Sequence, residues 1–207
     1  METNGSDNPG IGPDWGALLA THRGRLRRMV TLRLDRRLRG RIDPSDVIQE
    51  AYLEATGRRD DYERQDDPMP PFLWLRFLVL QQLQIAYRKQ LGTKARDVGR
   101  EVSMHAVAPQ GTTSAALAER LLGRESRASE AAIRAERKRR LQESLDAMDP
   151  VDREILALRH FEQLTNRECA QVLGLNESAA TKRHLRALAR LKDTLSAMPG
   201  GSRENWI

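Results

Sequence analysis

The chain has 207 residues, enough for one ordinary domain or two small ones. Charged residues make up 31% of it and aromatic residues only 4%, a balance that fits a solvated helical protein better than a sheet protein. The single cysteine, Cys169, excludes an internal disulfide and any zinc site built on two or four cysteines.

No run of about 18 apolar residues is present to span a bilayer, and the first 13 residues lack the apolar core of a signal peptide. The expected compartment is the cytoplasm, without membrane association. The formal net charge of +6 conceals an asymmetry: residues 23–41 hold nine arginines against one acid, Asp35, whereas residues 60–67 hold five acids. Blocks of this kind create local fields of opposite sign on one molecule.

In chain order, residues 1–13 have almost nothing to bury and read as a disordered leader. Trp15, Leu18, Leu19, His22, Leu26, Met29 and Val30 then recur at helical spacing, with a weaker continuation to Leu34 and Leu38, predicting one long helix with an arginine-covered outer face. Asp43 followed by Pro44 is an N-cap with proline at the first helical position. The helix it starts places Val47, Ile48, Ala51, Tyr52 and Ala55 on one side and Asp46, Gln49, Glu50 and Glu54 on the other. After the acidic loop, Pro70 and Pro71 open a third helix to about Leu91, apolar almost all round in its first half.

The next stretch, residues 103–129, is rich in Ala, Ser, Thr and Gly with a short helical patch near Leu117, the composition of a linker. Beyond it, Leu141, Leu145 and Met148 lead to Asp149-Pro150, which caps a helix burying Val151, Ile155, Leu156 and Leu158. Thr165 and Glu168 stand at capping-box spacing before a short helix that ends at Gly174, and a final helix runs from Glu177 to about Leu195. The expected fold is therefore all-α: two small helical domains, 14–102 and 130–197, joined by a flexible linker over 103–129, with a leader at 1–13 and a tail at 198–207.

TNRECAQVLGLNESAATKRHLRALARL has the layout of a helix-turn-helix. Leu164, Val172, Leu173, Leu175, Leu185 and Leu188 are the predicted shared core, with Ala170 small where the helices approach. Ser178, Thr181, Lys182, Arg183, Arg186 and Arg190 are the predicted DNA-facing side chains, because arginine and lysine can read guanine edges or hold phosphates in a major groove. A solvated basic face in a helical bundle is the plainer alternative. Cys169 and His184 are expected to pack or face the groove rather than to catalyse.

Two motifs carry a family resemblance. DAMDPVDREILALRHFEQLTNRECAQVLGLNESAATKRHLRALARL is similar to region four of bacterial sigma factors, and DPSDVIQEAYLEA, residues 43–55, resembles their region-two helix. Their order and the short connection between them resemble the compact extracytoplasmic-function (ECF) group.

This resemblance implies a non-enzymatic promoter-specificity subunit, with core RNA polymerase and promoter DNA as partners, room for an anti-sigma protein as a third, and no cofactor or metal. It implies that Asp46, Gln49, Glu50 and Glu54 dock on the polymerase. It also implies that the third helix binds the opened proximal promoter element through Trp74, Arg76, Tyr87, Arg88 and Lys89, since base stacking on aromatic groups and cation contacts offset the cost of opening. Phe72, Phe77 and Leu80 fit a packed core, and the sequence leaves open whether Trp74 packs or stacks. Gln81 and Ile85 depart from the family's pattern.

Rival readings are a free-standing helix-turn-helix regulator, which would need a dimer interface or ligand pocket, and a DNA recombinase, which would need strands and a nucleophile site that the N-terminal half does not display.

Overall fold

The computed structural model describes residues 12–34, 38, 40–91, 112–123 and 131–197, and the regular structure among these is helical throughout. Residues 1–11 of the expected leader, the expected tail and most of the expected linker lie outside the described residues.

Helix α1 (Trp15–Arg33) starts where the Asp14 carboxylate accepts the Ala17 N–H at 3.0 Å. It stops earlier than the apolar pattern predicts. Leu34 turns extended (ψ 119°), which lets Leu34 and Leu38 both point into the core without a continuing helical register. Helix α2 (Pro44–Gly57) begins as expected, with Asp43 accepting the Ser45 N–H at 2.7 Å and Pro44 in the first turn. Its buried side is Val47, Ile48, Ala51 and Ala55.

The acidic loop contains a short helix the sequence did not announce, α3 (Arg59–Glu63). Its purpose is legible in one side chain: Tyr62 is buried, donates its hydroxyl to the Met69 carbonyl at 2.6 Å, and has its phenol pushed up to about 12 by that burial. Helix α4 (Pro71–Leu91) is the centre of the N-terminal unit and packs along both α1 and α2. An amphipathic helix turns one stripe inward, but α4 is covered on several sides, so Phe72, Leu73, Trp74, Leu75, Leu78, Val79, Leu80 and Leu83 are all buried.

Within the expected linker, α5 (Ser114–Leu121) is capped by Thr113 and buries Ala116, Leu117 and Ala118, packing along α6 (Ala131–Asp146). Helices α7 (Pro150–His160), α8 (Asn166–Leu173) and α9 (Glu177–Ser196) complete the C-terminal unit around Leu141, Leu145, Ile155, Leu156 and Leu158.

The two units meet at a seam made of charge. Arg33 on α1 and Arg76 on α4 share the carboxylate of Glu162, in the loop after α7; Arg76 Nε donates to Glu162 Oε2 at 2.7 Å, and Arg33 donates to Glu162 Oε1 and to Glu154. Both arginines and Glu162 are buried. Burial works against the Arg33 charge, but Glu154 and Glu162 outweigh it and hold the guanidinium above the ordinary arginine range. Burial likewise opposes the Glu162 carboxylate, and Arg33 and Arg76 reverse that, holding it below the usual carboxylate range. The Thr112 N–H donates to Glu154 Oε2 at 2.9 Å, so the segment leading into α5 is fastened to the same cluster.

Trp74 stands in an aromatic cluster with Trp15 (6.2 Å between ring centroids), Tyr62 (5.8 Å) and Phe77 (6.5 Å). Truncating a buried tryptophan costs about 3–5 kcal/mol. Trp74→Ala should therefore lower unfolding free energy by about that amount in denaturant titration; a loss under about 1 kcal/mol would mean the ring is free for another partner.

Candidate nucleic-acid interface

The helix-turn-helix is built by local chemistry. Thr165 Oγ1 accepts the Glu168 N–H at 3.2 Å while Glu168 Oε2 accepts the Thr165 N–H at 2.6 Å, closing the predicted capping box. Gly174 ends α8 in the left-handed conformation (φ 64°), and the Leu175 N–H returns to the Ala170 carbonyl at 2.9 Å, a Schellman closure. The Asn176 side chain then accepts the Ala179 N–H at 2.8 Å and starts α9. Helix α8 packs against α9, and Cys169 and Ala170 on α8 and Ala180, Ala187 and Leu191 on α9 are all buried. Burial pushes the Cys169 thiol up to about 12, so it is a packing group rather than a nucleophile.

On the far side of α9, Ser178, Thr181, Lys182, Arg186 and Arg190 are exposed, as predicted from the sequence. Thr181 Oγ1 donates to the Glu177 carbonyl and Arg190 Nη1 to the Ala147 carbonyl, but both residues remain at the surface. Two residues behave differently from the sequence reading.

Leu185, expected in the shared core, is 60% exposed. It lies two positions from buried Ala187, about 200° of helical rotation, so whatever turns Ala187 inward turns Leu185 outward. It therefore stands amid the polar face, between Lys182 and Arg186. Sequence reasoning missed it because leucine was assigned by type; its angular offset from the alanines was the available signal.

Arg183, expected to face DNA, is instead turned back onto α7: Nη1 donates to Asp152 Oδ1 at 2.7 Å and lies 3.2 Å from Asp149. The hydrogen bond to Asp152, with the Asp149 charge, holds its guanidinium above the usual range. Arg186 keeps only a long 3.7 Å approach to Asp152 and has a 66% exposed side chain.

The candidates on α4 divide likewise. Arg88 and Lys89 are exposed on its last turn. Trp74, Arg76 and Tyr87 are buried: Trp74 in the aromatic cluster, Arg76 against Glu162, and Tyr87 with its hydroxyl donated to the Arg33 carbonyl at 2.9 Å. In this closed arrangement none of the three can reach a base. Apart from Arg76 the first half of α4 is apolar all round, so the sequence held little phase from which to tell inward from outward.

On α2, Asp46, Gln49 and Glu50 are exposed as predicted. Glu54 is not a free member of the stripe, because it accepts from Arg58 at 2.9 Å and from Gln82 on α4 at 2.8 Å. Asp46 and Glu50 border a cleft between α2 and α4 whose other wall holds Ile85 and Lys89, so the acidic stripe and one α4 cation share a single edge of the unit.

Residues 138–191, the second part of α6 through most of α9, match the family model described as Sigma-70, region 4. Over those residues the C-terminal unit is similar to sigma-70 region 4. Among solved structures, the chain is similar to CnrH in its complex with the cytosolic domain of CnrY, at 22% identity, TM-score 0.48, and 89% coverage of both chains. It is also similar to the sigma factor RpoE in complex with the anti-sigma factor NepR from Bartonella quintana, at 14% identity, TM-score 0.46, covering 90% of this chain and 99% of that one. No curated protein sequence matches the chain.

The C-terminal unit carries two further titratable groups. His160 Nε2 on α7 and His184 Nε2 on α9 lie 3.0 Å apart. Burial holds both below the usual imidazole range, reinforced by Arg159 at His160 and by His160 and Arg159 at His184.

Two predictions follow from the region 4 geometry. Arg183→Ala should lower the thermal midpoint while Leu185→Ala and Arg186→Ala leave it within about 2 °C, and only the latter two should weaken duplex binding at unchanged fold, by about tenfold for Arg186. Equal loss of stability in all three would place the whole row in the core. For the histidines, a depressed folded pKa means the fold favours the neutral ring. Stability is thus fully present above the unfolded value, 6.5, and lost as pH falls below it. Thermal midpoints should drop between about pH 7.5 and about pH 5.5, less steeply in a His160→Asn, His184→Asn double variant; parallel profiles would show that the pair does not contribute.

Proposed function

We propose that the chain is a promoter-specificity (sigma) subunit of RNA polymerase. The region 4 unit reads the distal promoter element as duplex, Arg186, Lys182 and Arg190 supplying cations and Leu185 an apolar surface suited to a thymine methyl group. Ser178 and Thr181 complete the face with hydroxyls. The N-terminal unit docks on the core polymerase through Asp46, Gln49 and Glu50, and brings Arg88 and Lys89 to the proximal element. Glu54 orients the docking helix by tying α2 to α4. No bond is made or broken on the chain in this role; its work is recognition.

The observation that carries the reading is the pairing of a region 4 helix-turn-helix, its outer face basic, with an exposed acidic row on a separate helical unit of the same chain. A duplex-binding regulator acting alone has no need for the acidic row. Two weak contacts on one tether gain through effective concentration once a polymerase fixes their spacing, which suits a protein whose contacts with DNA are individually modest.

Run-off transcription with core polymerase, from the promoters of the source organism, tests the proposal directly. Charge reversal at Asp46 and Glu50 to lysine should weaken core binding at least about tenfold, because like charges facing each other across an interface cost several kcal/mol. Full core binding by that variant removes the docking assignment. Absence of start-site selection by the native chain removes the sigma reading and leaves a free-standing regulator.

A further inference from the structure

The seam between the units converges on one short loop. Arg25 Nε donates to the Glu162 carbonyl at 2.8 Å and its Nη2 to the Gln163 carbonyl at 3.0 Å; Arg28 Nε donates to the Phe161 carbonyl at 2.9 Å and its Nη2 to Gln163 Oε1 at 2.8 Å. Arg33 and Arg76 take the Glu162 carboxylate between them, one oxygen each. Four arginines of the N-terminal unit thus grip residues 161–163, and Arg25 is itself held in place by lying over the Phe72 ring at 4.0 Å.

Two features mark this loop as more than ordinary packing. Gln163 has φ 57°, the single non-glycine residue with positive φ among those described, and Arg25 bonds its carbonyl while Arg28 bonds its side chain. Three of the four arginines, Arg25, Arg33 and Arg76, form ion pairs, and the acids of those pairs, Glu154, Glu162 and Glu168, all belong to the C-terminal unit, while Arg28 bonds only neutral acceptors there. Separation of the units would take those counter-charges from Arg25, Arg33 and Arg76 and the neutral acceptors from Arg28.

We propose that this arginine cradle is an anion receptor with two competing occupants, the Glu162 loop in the closed chain and the phosphodiester backbone of nucleic acid in the open one. A phosphodiester presents two non-bridging oxygens, as the Glu162 carboxylate does, and planar guanidinium groups match either. The energetics favour exchange over permanent closure. The desolvation of buried charges offsets most of their attraction, so a complete cluster is a weak source of net stability, whereas a cluster missing one partner is strongly disfavoured. Closure is therefore easy to undo by any ligand that satisfies the arginines equally well. The exposed face of α9 stays accessible in both states; what the loop conceals is the cradle, and what it fixes is the separation between α9 and α4.

The single native cysteine is fully buried, so probes can be placed at will by Thr56→Cys on α2 and Lys192→Cys on α9, both at exposed positions. Spin-label distances across this pair should be short and narrowly distributed in the native chain. They should lengthen on titration with a 12-nucleotide single strand of arbitrary sequence, without polymerase, which keeps the test separate from the sigma reading.

Glu162→Gln should lengthen the distance without nucleic acid and bind the oligonucleotide about tenfold more tightly, since the fraction of receptor-competent chain rises. Arg76→Gln should also open the chain but bind more weakly than Glu162→Gln. A native distance that ignores the oligonucleotide overturns the competition, as does equal affinity in the two variants. Equal opening by inorganic phosphate at the same phosphate concentration overturns the assignment to nucleic acid.

Discussion

One carboxylate shared by two buried arginines sets the relation between the halves of this protein. Glu162 sits at the point where α7 gives way to the loop before the helix-turn-helix, and Arg33 and Arg76 come from the end of one N-terminal helix and the first half of another. Because the three groups are removed from water together, none can leave without exposing the others to an unpaired, poorly solvated state. In the closed chain that mutual dependence ties the loop after α7 to α1 and α4.

The same constraint explains why the side chains of α4 are divided as they are. Arg76 is fixed against Glu162, Tyr87 against the Arg33 carbonyl and Trp74 within the aromatic cluster. What remains for a partner is the last turn, with Arg88 and Lys89, beside the exposed acids of α2. On α2 and α4 an acidic row and a cationic helix end therefore lie on either side of one cleft.

The C-terminal unit is organised on the opposite plan. Its position is held by Glu162, but its internal geometry is held by short-range devices: a capping box, a left-handed glycine, an asparagine cap, and small residues at the helix crossing. Arg183 adds a strut from α9 back to the start of α7, so a residue chemically suited to DNA is spent on architecture, and the exposed face of α9 is left to its neighbours.

These contrasts divide what the sequence determined from what it did not. Helix starts, the turn, the all-α class and the exposed row on α9 are consequences of interactions within a few residues: Asp43 and Asp149 before proline, Thr165 with Glu168, Gly174, and apolar spacing. Such signals survive in one dimension. The short helix α3 escaped because one buried tyrosine, not a periodic stripe, holds it, and Leu185 escaped because a residue's type does not fix its angle on the helix.

The roles of Trp74, Arg76, Tyr87 and Arg183 were decided only in three dimensions. An arginine is equally suited to a phosphate and to a carboxylate, and the carboxylates that claimed Arg76 and Arg183 stand 86 and 31 residues away along the chain. Local chemistry wrote the elements and the helix-turn-helix; the folded chain alone chose which charges would face each other, because that choice belongs to pairs that no short-range pattern connects.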